Sequence, residues 1–294
     1  MVIAVNILAA LCFFSNASAQ ARTGVVEVPF EFVNNEILVQ VRINGKGPLT
    51  MMLDTGTNPS SIDLVTADAL GIRRSARGRQ GSGGGTDRNP AYECKFATLE
   101  IGSLAAANVS AVAIDLTKIS GPMGRHIDGI LGHSVLNNRI VQFDYPSRMV
   151  RFFNALPAAR NRAAATLGFR YDDDVLIDGV LVNGRRVTAD IDTGSSGSLA
   201  LSPMAVENLG LAEEAAKGKG LTSVGYNGVV QNHEGRLRSF VIGSISVSSP
   251  PVLYIARGSG HDKARWDVNI GNGFLKDYIV TIDYRGKIIR FEKP

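Results

Sequence analysis

The pattern of apolar and polar positions along the chain is mostly that of β-strands. Ile37-Leu38-Val39-Gln40-Val41-Arg42-Ile43 combines β-branched residues with partial alternation and stops at Asn44-Gly45, a pair suited to a tight hairpin turn with positive φ. Met149 to Phe153 and Ile288 to Phe291 read as strands entered from turns at Pro146-Ser147 and Arg285-Gly286. Helical periodicity is confined to short pieces around Leu64 to Leu70 and Pro203 to Leu209, the second opened by Ser202 as a cap with Pro203 at the first helical position. The N-terminus differs: Val2 to Phe14 is almost wholly apolar and is followed by Ala17-Ser18-Ala19, a small-x-small cleavage pattern. This predicts a secretory leader over residues 1–19, the alternative being a buried N-terminal element. The run falls short of the roughly 20 residues of a membrane span, and Leu11 before Cys12 is too large for a lipid-attachment site.

The strand pattern occurs twice. Val28 to Gly45 lies without gaps on Leu167 to Gly184, and Gly132 to Phe152 lies on Gly271 to Phe291, both at an offset of 139. Between these ends the offset wanders, as small loop insertions and deletions would make it. A period this long denotes a duplicated domain, not a solenoid of 20- to 50-residue repeats. The expected organisation is a unit over residues 24–154, a linker over 155–165 rich in Ala and Arg, and a second unit over 166–294.

At corresponding points, each unit places Asp-Thr-Gly after an apolar-flavoured strand: Met51-Met52-Leu53 precedes Asp54-Thr55-Gly56, and Ala189-Asp190-Ile191 precedes Asp192-Thr193-Gly194. Duplicated lobes packed about a pseudo-twofold axis would bring the two turns face to face. Two carboxyls a few ångströms apart cannot both ionise easily, so one keeps a proton while the other is an anion, and the pair offers an acid and a base together. Glycine at the third place permits close backbone approach, and Thr55 and Thr193 could cross-link the turns through their hydroxyls. At the next place, Thr57 and Ser195 offer hydroxyls to the outer carboxylate oxygens.

On these residues the chain resembles the retropepsin and pepsin clan of aspartic peptidases, and most of all two fused retropepsin-type units from a bacterial envelope protein. The clan pattern is two apolar residues and Asp-Thr-Gly-Ser/Ala, then a glycine-rich flap, then two apolar residues and Gly in a loop beneath the catalytic turn. The resemblance implies an all-β, two-lobe acid-protease fold in which Asp54 and Asp192 activate a water for peptide hydrolysis. It implies flap residues Gly83, Gly84 and Gly85 within Gly81 to Gly85, and Gly225 and Tyr226 within Gly225-Tyr226-Asn227-Gly228. It implies an underlying loop of Ile130-Leu131-Gly132 in one unit and Ile270-Gly271 in the other. Asn269 departs from the pattern where the first unit has Ile130, and an amide there needs a hydrogen-bond partner.

Composition narrows the alternatives. A formal charge of +4 and the absence of a long Lys/Arg block give no sign of a nucleic-acid surface. Without Cys12 only Cys94 remains, so no intrachain disulfide is expected even in an oxidising compartment. Ser195-Ser196-Gly197 does not fit a nucleophile elbow, and His126, His133, His233 and His261 are not at metal-ligand or base spacing. Asp172-Asp173-Asp174 aligns with Val33-Asn34-Asn35 and reads as a polar turn, not a calcium loop. The expectation is a monomeric, exported, bacterial periplasmic peptidase without metal or cofactor, acting on peptide or protein substrates. A catalytically dormant peptide-binding or structural envelope protein on the same fold is the alternative.

Overall fold

The computed structural model describes residues 24–159 and 165–294. The expected leader lies outside them, as do residues 160–164 of the expected linker; 155–159 bear no helix or strand, and Ala165 already opens a strand, Ala165–Gly168.

Each repeat curls around its own sheet. In the first lobe an eight-stranded sheet centres on Glu36–Ile43, Lys46–Leu53 and Gly129–Leu131; in the second a ten-stranded sheet centres on Val175–Val182, Arg185–Ile191 and Val268–Ile270. Alternation sorts the side chains: Ile37, Val39 and Val41 enter the main core, while Leu38 faces the other way into a smaller cluster with Met52 and Ile130. The strand ahead of each Asp-Thr-Gly pairs in parallel with the apolar strand from the far end of its lobe: Leu53 opposite Leu131, Ile191 opposite Ile270. Parallel neighbours require a long crossover, and each crossover carries the flap candidate. The helices Leu64–Leu70 and Pro203–Asn208 are capped by Asp63 and Ser202 side chains.

Strand register corrects one part of the sequence alignment. Leu38 pairs with Met52 and Leu176 with Asp190, each two residues ahead of an Asp-Thr-Gly aspartate, so Leu38 corresponds to Leu176 and Glu36 to Asp174. The Asp172–Asp174 turn is therefore shorter than its counterpart: Phe32 pairs with Ile37, but Tyr171 with Val175. The bulge at Gly179 restores the count.

A third, six-stranded sheet joins the lobes, with Ile140–Asp144 against Ile279–Asp283 at its centre. Gln142 pairs there with Thr281, its own equivalent 139 residues on, and donates to the Thr281 hydroxyl at 3.0 Å. The pseudo-twofold axis passes between them. Hairpin tips lock the lobes reciprocally: Asn35 Nδ2 donates to the Ser196 carbonyl, and Asn58 Nδ2 to Asp173 Oδ1, each at 3.0 Å.

Candidate active site

The same axis runs between the two Asp-Thr-Gly turns. Thr55 N–H donates to the Thr193 hydroxyl and Thr193 N–H to the Thr55 hydroxyl, both at 3.0 Å. Each hydroxyl donates onward into the opposite lobe, Thr55 to the Ile191 carbonyl at 2.6 Å and Thr193 to the Leu53 carbonyl at 2.8 Å. Four buried hydrogen bonds thus hold the turns together. From beneath, Asp54 N–H donates to Leu131 and Asp192 N–H to Ile270, so the Ile130-Leu131-Gly132 and Ile270-Gly271 segments support the turns as the pattern implied. Lobe one also reaches under the second turn: the Tyr145 hydroxyl donates to Asn272 Oδ1, and Asn272 Nδ2 donates to the Thr193 carbonyl, each at 2.6 Å.

Gly56 and Gly194 face the opposite aspartates. A Cβ on Gly194 would stand 2.2 Å from Asp54 Cγ, and one on Gly56 2.9 Å from Asp192 Oδ1. No side chain fits between each turn and the carboxyl it meets. Gly56 N–H donates to Asp54 Oδ1 at 2.7 Å and Gly194 N–H to Asp192 Oδ1 at 2.8 Å.

The outer oxygens differ. The Thr57 hydroxyl donates to Asp54 Oδ2 at 2.5 Å, as expected, but Ser195 does not take the matching position on Asp192. Asn269 takes it, with Nδ2 at 2.9 Å from Asp192 Oδ2. The reason lies one strand over, because Asn269 stands opposite Asp190 and the same nitrogen donates to Asp190 Oδ2 at 3.0 Å. In the first lobe the equivalent pair is Met52 and Ile130.

Excess acid surrounds the dyad. Burial first, then the charge of Asp192, raises Asp54 far above the ordinary carboxylate range against the pull of its Thr57 and Gly56 hydrogen bonds; the two carboxyls are themselves within hydrogen-bonding reach. Burial likewise holds Asp190 well above that range, with Asp192 adding to it. Glu36, 5% exposed and with Oε2 unpartnered, is pushed up to about 9 by burial and then by Asp192 and Asp54. Asp174, its structural counterpart, is raised to about 6 by burial and Asp192. Sequence reading missed Glu36, Asp190 and Asn272. The visible signal for Asp190 was a carboxylate in a strand whose partner unit reads Met-Met-Leu.

The flap segments meet each other. Lys219–Gly225 and Gly228–Arg236 form a hairpin with Tyr226-Asn227 at its tip, and Gly81 to Gly85 lies in the longer loop that joins the antiparallel strands Arg79–Gln80 and Pro90–Ile101. Asn227 N–H donates to the Gly84 carbonyl at 2.8 Å, and Asn89 Nδ2 to the Tyr226 carbonyl at 2.7 Å. Gly85 has φ of +113°, and a Cβ there would stand 2.1 Å from the Asn227 carbonyl carbon, so only glycine permits this crossing. The Tyr226 ring crosses to pack against the lobe-one cluster of Leu38, Met52 and Ile130, and its hydroxyl donates to the Pro90 carbonyl at 3.0 Å. Gly83 lies beside the Tyr226 Cβ, and Gly225 beside the Gly84 backbone. His261 stands next to Gly84, with its value lowered by burial although the Asp192 charge opposes this.

Among the described residues no cluster of three or more His, Cys, Asp or Glu side chains could hold a metal ion, and no helix is long and apolar enough to cross a membrane. Cys94 is buried and free. No curated protein matches the chain. The family model described as aspartyl protease matches it twice, over residues 39–135 and 179–274, one match spanning each Asp-Thr-Gly turn and its supporting loop. These two matches cover well over half of the sequence and fall on the duplicated all-β lobes, so the chain belongs to the retropepsin-like aspartyl protease family and carries two of its units.

Proposed function

We propose that the protein is a single-chain aspartic endopeptidase in which a water held between Asp54 and Asp192 attacks the peptide carbonyl. The ionised aspartate takes the water's proton while the protonated one donates to the carbonyl oxygen. The observation that carries this reading is the reciprocal Thr55–Thr193 grip, which sets the two carboxyls together with backbone N–H groups on their inner oxygens. Thr55, Gly56, Thr57, Thr193 and Gly194 position the dyad, with Asn269 in the place expected of Ser195. The Gly81 to Gly85 loop and the Tyr226 hairpin close over bound peptide. One chain supplies both aspartates, so the active species is a monomer. The apolar Val2 to Phe14 run and Ala17-Ser18-Ala19 favour export and a mature chain starting after Ala19.

The test is cleavage of a diverse peptide library between pH 3 and 8 by the mature chain and by Asp54→Asn and Asp192→Asn, read by mass spectrometry. Cutting by the wild type alone is the expected result. A folded but silent wild type would move the protein to the dormant, peptide-binding alternative, and full activity in either variant would rule out the shared dyad.

A further inference from the structure

The two lobes surround their aspartates with chemically different partners. Both oxygens of Asp192 accept from groups that can only donate: Oδ1 from Gly194 N–H at 2.8 Å, Oδ2 from the Asn269 amide nitrogen at 2.9 Å. A proton on Asp192 Oδ2 would point at another N–H. Asp54 Oδ1 also faces an N–H, that of Gly56, but its Oδ2 faces the Thr57 hydroxyl, and a hydroxyl accepts as readily as it donates. Either aspartate can hold the shared proton between the two carboxyls, but only Asp54 offers it a second place, on Oδ2 against the Thr57 hydroxyl.

What fixes this difference is the orientation of one amide, and Asp190 holds that orientation. The residue is 2% exposed, its Oδ2 accepts from the same Asn269 nitrogen at 3.0 Å, and its Oδ1 is buried with no partner. Two acceptors on one NH2 group keep the nitrogen, not the carbonyl oxygen, turned toward Asp192. We propose that Asp190 is a positioning residue that pins the Asn269 amide onto Asp192, placing the dyad's shared proton on Asp54 and making Asp192 the base that activates water. This rests on the peptidase reading and assigns the roles within it.

Asp190 needs no charge for this task. The charged and titratable groups around it are Asp192 on its own strand end, Asp174 and Tyr171 on the adjoining hairpin, Tyr284 beyond the interlobe strand, and Asp54 across the axis. None is a cation, so burial and the charge of Asp192 both favour its protonated form. Asp190 does not supply charge; it supplies an acceptor oxygen in a fixed place.

That makes the conservative variant diagnostic. Asp190→Asn keeps a neutral acceptor, whereas Asp190→Met installs the residue type of the first lobe and removes it. The experiment is a carbon-13 titration of aspartate carboxyls in the mature full-length chain, with the dyad signals identified through Asp54→Asn and Asp192→Asn, alongside pH profiles of kcat and KM. In the wild type and Asp190→Asn the dyad's first proton should leave from Asp192, with equal acidic limbs. In Asp190→Met and in Asn269→Ile that order should be lost and the acidic limb should rise by about one pH unit, so that kcat at the foot of that limb falls about tenfold with KM held within twofold, as expected for losing one hydrogen bond to a charged group. The double variant, which reproduces the apolar Met52–Ile130 pair, should be no worse than either single change and carries the test if a single variant does not fold. An Asp190→Met titration matching wild type, or an Asp190→Asn defect as large as that of Asp190→Met, overturns the proposal. A wild type that titrates in the stated order yet cuts no peptide would instead overturn the peptidase reading and leave the positioning role standing.

Discussion

Replacing Thr193 by Val tests whether the grip beneath the dyad carries stability as well as geometry. Valine nearly preserves the shape, so the change removes a hydroxyl without opening a large cavity. Two partners lose their bond: the Thr55 N–H at 3.0 Å and the Leu53 carbonyl at 2.8 Å, around a side chain only 1% exposed. A buried polar group left unpaired costs about 1–3 kcal/mol, so two together should cost about 3 kcal/mol. With a urea slope of roughly 3 kcal/mol per molar, the unfolding midpoint should drop by about 1 M, followed through the fluorescence of Trp266, the single tryptophan. Thr193→Ser keeps the hydroxyl and should lose under about 1 kcal/mol more than its missing methyl requires. Thr55→Val should match Thr193→Val, and the double variant should cost less than the sum, because a turn released by one change weakens the other's bonds as well. A Thr193→Val midpoint within about 0.3 M of wild type, corresponding to under roughly 1 kcal/mol on the same slope, would refute the argument that these hydrogen bonds are fully desolvated.

Other perturbations probe the rest of the site. Glu36 binds its proton more tightly folded, at about 9 against an ordinary 4.5, so its contribution is complete below about 4.5 and is lost as pH rises toward 9. His133 and His261, whose values burial lowers from 6.5, are neutral in both states above pH 7, so thermal melts should show wild-type stability falling from pH 7 to 9 and Glu36→Gln falling less; wild-type stability rising over that window would contradict the sign. Gly194→Ala drives a Cβ into the Asp54 carboxyl, 2.2 Å away, and should reduce kcat at least about 100-fold while circular dichroism stays native; activity within a few-fold of wild type would show that the turn can yield. Tyr226→Ala removes the ring that crosses between lobes, so the backbone amides of Gly85 and Asn227 should exchange with deuterium at least about tenfold faster, and unchanged exchange would mean that the glycine crossing holds by itself.

The parts of this molecule that were legible in the sequence are those encoded locally. The Asp-Thr-Gly triplets, the Asn-Gly and Pro-Ser turns and the Ser202-Pro203 helix start each write their geometry within a few residues, and the duplicated ends made the pseudo-twofold readable. What escaped depends on register. The missing turn residue at Asp172–Asp174 is visible only through which residue faces Met52 and Asp190, so Glu36 and Asp174 went unrecognised as counterparts. Asn269 stood out as polar in an apolar motif, but its partner Asp190 is 79 residues away and looked like one polar position in a short strand. Ser195 was a reasonable donor to Asp192 by analogy with Thr57, and it lost that place because the amide arrived from the neighbouring strand instead. The flap glycines were visible as a composition, while their interlocking requires knowing that two segments more than a hundred residues apart cross at Gly85 and Asn227.

The position of the departures is informative. Along the axis the lobes remain matched: Thr55 answers Thr193, and Gln142 answers Thr281 as its paired equivalent. Away from it they diverge at two facing positions, Met52 and Ile130 on one side, Asp190 and Asn269 on the other. In a dimer of identical chains any such change appears twice, and both aspartates would acquire the same amide donor. The proton would then have equivalent places on each. Joining the units in one chain removes that constraint, so one lobe can keep an apolar wall against which Tyr226 packs while the other holds a polar wall that distinguishes its aspartate. The buried carboxyl of Asp190 is costly to fold around, and such a cost is tolerated where a specific hydrogen bond depends on it. The duplicated fold thus supplies both the symmetry that brings the aspartates together and the freedom to make them chemically unequal.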